Sequence, residues 1–100
     1  MKLHHFGIEV KDIDKSMEFY VQKLGFEIDT PKTQEKSMRV LYTNLKCGND
    51  VTLELVQYMD KNFDRNIDIS NPPICPHIAM ETDDFDSVLK QLQEKGVKIF

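Results

Sequence analysis

His5-Phe6-Gly7-Ile8-Glu9-Val10-Lys11-Asp12-Ile13-Asp14 is answered, 72 positions on, by His77-Ile78-Ala79-Met80-Glu81-Thr82-Asp83-Asp84-Phe85-Asp86. The two stretches share the pattern His-x-small-x-Glu-x-x-Asp-apolar-Asp. Each runs into a helix-like segment that ends in glycine, Gly25 or Gly96, and then into Phe26-Glu27-Ile28 or Val97-Lys98-Ile99. An internal repeat of this kind sets the architecture before any local reading is made. It also places a histidine at the same position of both copies.

In the first copy, Phe6, Ile8 and Val10 share one side of an alternating segment, and His5, Gly7 and Glu9 share the other. That alternation is the mark of a half-buried strand. Asp12 or Asp14 can cap a helix from about Lys15 to Leu24, in which Ile13, Met17, Tyr20, Val21 and Leu24 form one apolar stripe. Gly25 ends it, and Phe26 to Asp29 reads as a short strand. The polar, proline-containing run Thr30 to Lys36 reads as a loop. Ser37 to Leu45 and Val51 to Tyr58 read as a strand hairpin turning at Lys46 to Asp50. In the second of these strands Thr52, Glu54, Val56 and Tyr58 share a face opposite Val51, Leu53 and Leu55.

Met59 to Ile74 is polar and then proline-rich, as a linker between modules should be. The second copy opens with a strand over Pro76 to Thr82. A helix capped by Asp84 or Asp86 follows, with Phe85, Val88, Leu89 and Leu92 as its stripe, and a strand begins at Val97. The expected fold is therefore α+β, with two βαβββ modules making an open, barrel-like curled sheet and the helices outside. All of it lies in one domain, residues 1–100: module one about 1–59, a linker about 60–75, and module two about 76–100. By the symmetry of the repeat, module two lacks its last two strands, about 30 residues. The final strand reaches Phe100 without a turn or capping signal, which reads as a fragment of a longer frame.

Composition narrows the function classes. A chain of 100 residues supports one small core, and a net charge of −4 offers no basic stripe for nucleic acid. No apolar run approaches the roughly 20 residues of a membrane span, and Met1-Lys2-Leu3-His4-His5 leads straight into a strand pattern without a signal peptide. Cys47 and Cys75 stand apart, with no metal-knuckle spacing, and read as reduced thiols of a cytoplasmic protein.

The chemistry sits on the polar faces. His5, Glu54 and His77 each fall on the side opposite the one that packs on a helix. Curled sheets would turn those faces into one cavity, where two imidazoles and a carboxylate make a ligand set for zinc, nickel, manganese or iron(II). Three ligands leave positions open for water and substrate, as a catalytic metal requires. A single strand histidine or glutamate ordinarily serves packing or solvent; here the repeat and the shared face set these residues apart. His4 falls on the helix-facing side and reads as structural or as a strand-entry residue. Glu9 and Glu81 read as salt-bridge or cavity-rim residues.

The ordered set His5-Phe6-Gly7-Ile8, Met17-Glu18-Phe19-Tyr20, Leu24-Gly25-Phe26, Leu53-Glu54-Leu55, His77-Ile78-Ala79 and Gly96-Val97 resembles the glyoxalase I/vicinal oxygen chelate superfamily over nearly the whole chain. Members pair two βαβββ modules around a divalent metal, within one chain or across a dimer. On this resemblance His5, Glu54 and His77 match three of the family's four ligand positions, and a homodimer is expected. The fourth ligand, a glutamate on the last strand that often doubles as base, would fall beyond Phe100. A glutamate at position 54 resembles glyoxalase I more than methylmalonyl-CoA epimerase, where glutamine is usual.

The resemblance implies a lactoylglutathione lyase-like lyase or isomerase. Its small substrate presents vicinal oxygens to the metal and passes through a metal-bound enediolate, with Glu54 as ligand and catalytic base. The alternatives it leaves are a metal-independent, antibiotic-type binding protein of the same fold and an inactive shortened paralogue.

Overall fold

The computed structural model describes residues 4–48, 50–60 and 80–99. The chain divides into two compact units, Met1–Lys61 and Asn62–Phe100. The first holds β1 (Phe6–Glu9), α1 (Ile13–Met17), a π-helical continuation (Glu18–Lys23), β2 (Glu27–Glu35), β3 (Val40–Cys47) and β4 (Val51–Tyr58). The described part of the second holds α2 (Phe85–Glu94). The first unit is thus a βαβββ arrangement, and the fold is α+β.

Its four strands form one open sheet in the order β1-β4-β3-β2. β1 runs parallel to β4, while β3 is antiparallel to both β4 and β2. Side chains alternate across this ladder, so the register sorts them by face. Leu45 pairs with Leu53 and Thr43 with Leu55. These four and Ile13 of α1 are essentially fully buried. Burial of each Leu or Ile contributes about 1.5–3 kcal/mol, which makes this face the core of the unit.

The helix begins where the sequence places its cap. Asp12 accepts hydrogen bonds from the backbone N–H groups of Asp14 and Lys15 at 3.1 and 3.2 Å, supplying partners for donors that no helical carbonyl can reach. Ile13 N–H donates instead to Gln57 Oε1 at 2.8 Å, tying the first turn to β4. From Glu18 the helix widens, and Leu24 N–H reaches back to the Phe19 carbonyl at 3.0 Å. The expected α-helix from Lys15 to Leu24 is therefore corrected to one α-turn and a π-helical stretch. Gly25, at φ 82°, closes it in the left-handed region. The widening brings Tyr20 against Phe26, with ring centroids 5.3 Å apart.

A second correction concerns Thr30 to Lys36. Glu27–Glu35 is a continuous strand along the edge of the sheet, paired with β3 and broken in register between Ile28 and Thr30 and between Thr30 and Thr33. Pro31 cannot donate to a ladder, and an edge strand is where that costs least. The irregularity is anchored from the core side: Thr43 Oγ1, fully buried, donates to the Thr30 carbonyl at 2.7 Å. The hairpin between β3 and β4 turns through Gly48 and Asp50, both at positive φ.

In the second unit Asp84 is the cap of α2, accepting from Ser87 N–H at 3.1 Å. Gly96, at φ 77°, and the bond from Val97 N–H to the Leu92 carbonyl at 2.9 Å end the helix. Val88, Leu89 and Leu92 are half-buried, whereas Phe85 is 69% exposed. The strands expected over 76–82 and from Val97 onward are not seen at residues 80–82 or 97–99, which pair with no strand among the described residues. Residues 76–79 and 100 lie outside the described residues, as does the linker beyond Asp60.

Candidate metal and substrate site

Glu54 stands mid-way along β4, on the face opposite Leu53 and Leu55. The ladder places Gly7 on one side of it and Asn44 on the other, and Thr30 beyond Asn44. His5 precedes β1 by one residue, two positions before Gly7, and therefore rises on the same face. Its Nε2 lies 3.9 Å from Glu54 Oε2. The two side chains are 40% and 26% exposed, so both are open to a solute from that face.

Gly7 leaves open space beside the carboxylate. A Cβ at this position would stand 3.6 Å from Glu54 Oε1, and any larger side chain would reach into the volume the carboxylate occupies. On the other flank Asn44 Nδ2 donates to Thr30 Oγ1 at 3.3 Å, while Asn44 Oδ1 is buried and receives no hydrogen bond from the described residues. A buried acceptor without a donor is a costly feature, commonly kept for a ligand or an ordered water. Alternation in β3 places Asn44 on this face, a signal the sequence reading did not use.

The pair passes a simple test for a shared ion. Metal–nitrogen and metal–oxygen bonds near 2.0–2.2 Å cap the separation of two atoms on one ion at about 4.2 Å, and 3.9 Å falls within that ceiling. A neutral imidazole nitrogen and a carboxylate oxygen are donors that suit zinc, nickel, manganese and iron(II) alike. Two ligands are a partial set: the described residues hold no cluster of three or more His, Cys, Asp or Glu able to bind a metal. His77, the third candidate, lies outside the described residues, as does Cys75; Cys47 is a half-buried free thiol.

His4 stands at the strand entry, two residues ahead of Phe6. Its Nδ1 is 2.7 Å from His5 Nδ1, one ring donating N–H to the bare nitrogen of the other, with the rings nearly perpendicular. The sequence shows the adjacency of the two histidines but not this bond, since neighbours in a strand normally point apart.

Beyond Glu54 the same face forms a cavity of about 400 Å³ lined by Glu35, Met38, Val40, Tyr42, Glu54, Val56 and Tyr58. Its walls are aromatic and aliphatic, and its two charged groups are carboxylates. Hydrogen bonds from the Ser37 hydroxyl and backbone N–H hold the Glu35 carboxyl below the usual carboxylate range. Two cations of this unit face carboxylates outside the cavity: Arg39 pairs with Asp60, and Lys46 lies 4.0 Å from Asp29. Among the described residues no helix is long and apolar enough to cross a membrane.

The family model of the Glyoxalase/Bleomycin resistance protein/Dioxygenase superfamily matches residues 2–99. The chain belongs to this superfamily. Its similarity to the Bacillus subtilis (strain 168) protein YwkD is 28% identity over 100 residues, covering 96% of this chain and 73% of that protein. The crystal structure of SMU.1112c superposes with a TM-score of 0.76 at 29% identity, over 96% of this chain and 75% of the other. The fold also matches Leishmania major glyoxalase I, with a TM-score of 0.72 at 21% identity over 96% of this chain and 67% of that enzyme. Superfamily membership accounts for the βαβββ unit.

Proposed function

We propose that this superfamily member is a divalent-metal-dependent lyase or isomerase of the glyoxalase type, acting on a small substrate with vicinal oxygens. The observation that carries the reading is the approach of His5 Nε2 to Glu54 Oε2, on a face that also opens onto a ligand-sized cavity. His5, Glu54 and His77 are the residues that would hold the ion. A single domain over residues 1–100, with module one at about 1–59 and module two at about 76–100, in a homodimeric cytoplasmic protein, belongs to the same proposal. When bound, the metal supplies Lewis-acid stabilisation of negative charge developing on the substrate's oxygens.

The two oxygens of Glu54 divide the work. Oε2 faces His5 and would be the ligand atom. Oε1 stands over Gly7, where there is no side chain, and is the atom free to take a proton from a substrate carbon and return it to the adjacent one. A positioned base of this kind contributes about 10²–10⁴-fold in rate.

The test is metal content and binding in the full chain, compared with His5→Ala, Glu54→Gln and His77→Ala. Stoichiometric zinc, nickel or manganese that each variant weakens supports the reading, as does turnover of a 2-oxoaldehyde hemithioacetal that depends on the metal and on Glu54. A protein that binds no divalent ion, or whose binding survives loss of both histidines, sinks it. The open aromatic wall favours a second reading, a metal-independent small-molecule binder. Tight ligand binding that chelators and His5→Ala leave unchanged would put that reading first.

A further inference from the structure

We infer that His4 is a positioning residue that presents His5 to the metal, an inference that rests on the metal-site reading above. An imidazole can give a lone pair to an ion at Nε2 only while its remaining proton sits on Nδ1. Which nitrogen carries that proton is set by the hydrogen bond the other nitrogen makes. In metalloprotein histidines the second nitrogen almost always donates to a carboxylate, a backbone carbonyl or water. Here the group at that place is a second imidazole.

The geometry assigns the roles. His5 Nδ1 lies 2.7 Å from His4 Nδ1, so one proton lies between them. His5 Nε2 points the other way, 3.9 Å from Glu54 Oε2, a separation too long for a hydrogen bond and under the ceiling of about 4.2 Å for two ligands of one ion. With an ion at Nε2, the proton between the rings belongs to His5 Nδ1, and His4 Nδ1 accepts it. His4 then carries its own proton at Nε2. The nearly perpendicular rings, 81° apart, let the N–H of one aim at the in-plane lone pair of the other. The contact fixes both the tautomer of His5 and the rotation of its ring. That matters because a half-exposed side chain at the start of a strand has little packing to hold it.

Replacement of such outer partners costs about 10–100-fold in metal affinity. The experiment measures zinc affinity of the full chain for wild type, His4→Phe and His4→Asn, with nitrogen-15 histidine spectra of the zinc-loaded proteins. His4→Phe keeps an aromatic ring but has no acceptor, and is expected to bind zinc at least tenfold more weakly. His4→Asn restores an acceptor oxygen and is expected to recover most of the affinity. In wild type the His5 Nδ1 proton is expected downfield and slow to exchange, a signature lost in His4→Phe. Unchanged affinity in His4→Phe overturns the assignment, as does a spectrum in which His4 itself ligates zinc. A wild type that binds no zinc overturns the metal-site reading and this inference with it. A wild type that binds normally beside a silent His4→Phe overturns this inference alone. Unfolding temperatures of the three proteins separate a folding defect from a local one.

Discussion

Gly7 lies directly across the parallel ladder from Glu54, and a Cβ added to it would stand 3.6 Å from the carboxylate oxygen Oε1. The spacing is ordinary van der Waals contact, and Gly7 is not among the residues at positive φ. Gly7→Ala is therefore expected to fold as wild type, within about 0.5 kcal/mol, and to retain metal binding. Gly7→Val adds methyl groups where the carboxylate lies and turns Glu54 away from His5. Its zinc affinity is expected to fall about tenfold or more, the scale on which disturbing a ligand's surroundings acts. Isothermal titration of both variants checks this, and equal affinities would show that the glycine does not shape the site.

Thr43 gives a prediction about stability alone. Its hydroxyl is fully buried and donates to the Thr30 carbonyl where β2 shifts register. Thr43→Val keeps the shape and leaves that carbonyl without its partner, at a cost of about 1–2 kcal/mol. For a domain of this size each kcal/mol lowers the unfolding midpoint by about 4–8 °C. Thr43→Ser keeps the donor and should sit between the two. A valine variant as stable as wild type would mean that water or a backbone shift satisfies Thr30 instead.

These two relationships differ in how far the chain announces them. The face carrying His5, Gly7 and Glu54 follows from alternation, because side-chain period two is a local property of each strand. Pro31 and its polar neighbours concealed β2, since what makes them a strand is the partner β3 and an edge position that tolerates a missing donor. The π-helical stretch Glu18–Lys23 was hidden for a related reason: Met17, Tyr20, Val21 and Leu24 satisfy the α-helical period as written. The bond between His4 and His5 depends on ring rotations at the start of a strand, which no spacing encodes. The repeat marks His77 from sequence alone, and its place in the site remains part of the proposal.

Glu35 supplies a pH dependence whose sign follows from its partners. The Ser37 hydroxyl, then the Ser37 backbone N–H, stabilise the carboxylate and hold its pKa below the ordinary value. A folded-state pKa lower than the unfolded one means the stabilisation is present above the unfolded value. It disappears as the pH falls through the folded pKa. Ser37→Ala removes the larger contribution and leaves the backbone bond, so the Glu35 pKa is expected to move part of the way back up. A carboxyl carbon-13 titration reads this directly; an unmoved pKa would assign the depression to some other group.

The cavity beside Glu54 predicts both a signal and a preference. The chain has no tryptophan and three tyrosines, and two of these, Tyr42 and Tyr58, line the cavity. A ligand entering it should therefore change the intrinsic tyrosine emission. The charged groups on its wall are Glu35 and Glu54, while Arg39 and Lys46 face other carboxylates. In the metal-free protein an uncharged ligand is expected to bind about tenfold more tightly than an isosteric anion, within the roughly 1–4 kcal/mol of like-charge repulsion near a protein surface. Glu35→Gln should narrow that gap without affecting metal affinity, because Glu35 is not among the proposed ligands. Added salt should narrow it too, since the cavity is open to solvent. Equal binding of the two ligands, or emission that Tyr42→Phe leaves fully responsive in amplitude and wavelength while Glu35→Gln has no effect, would place the binding surface elsewhere on the molecule.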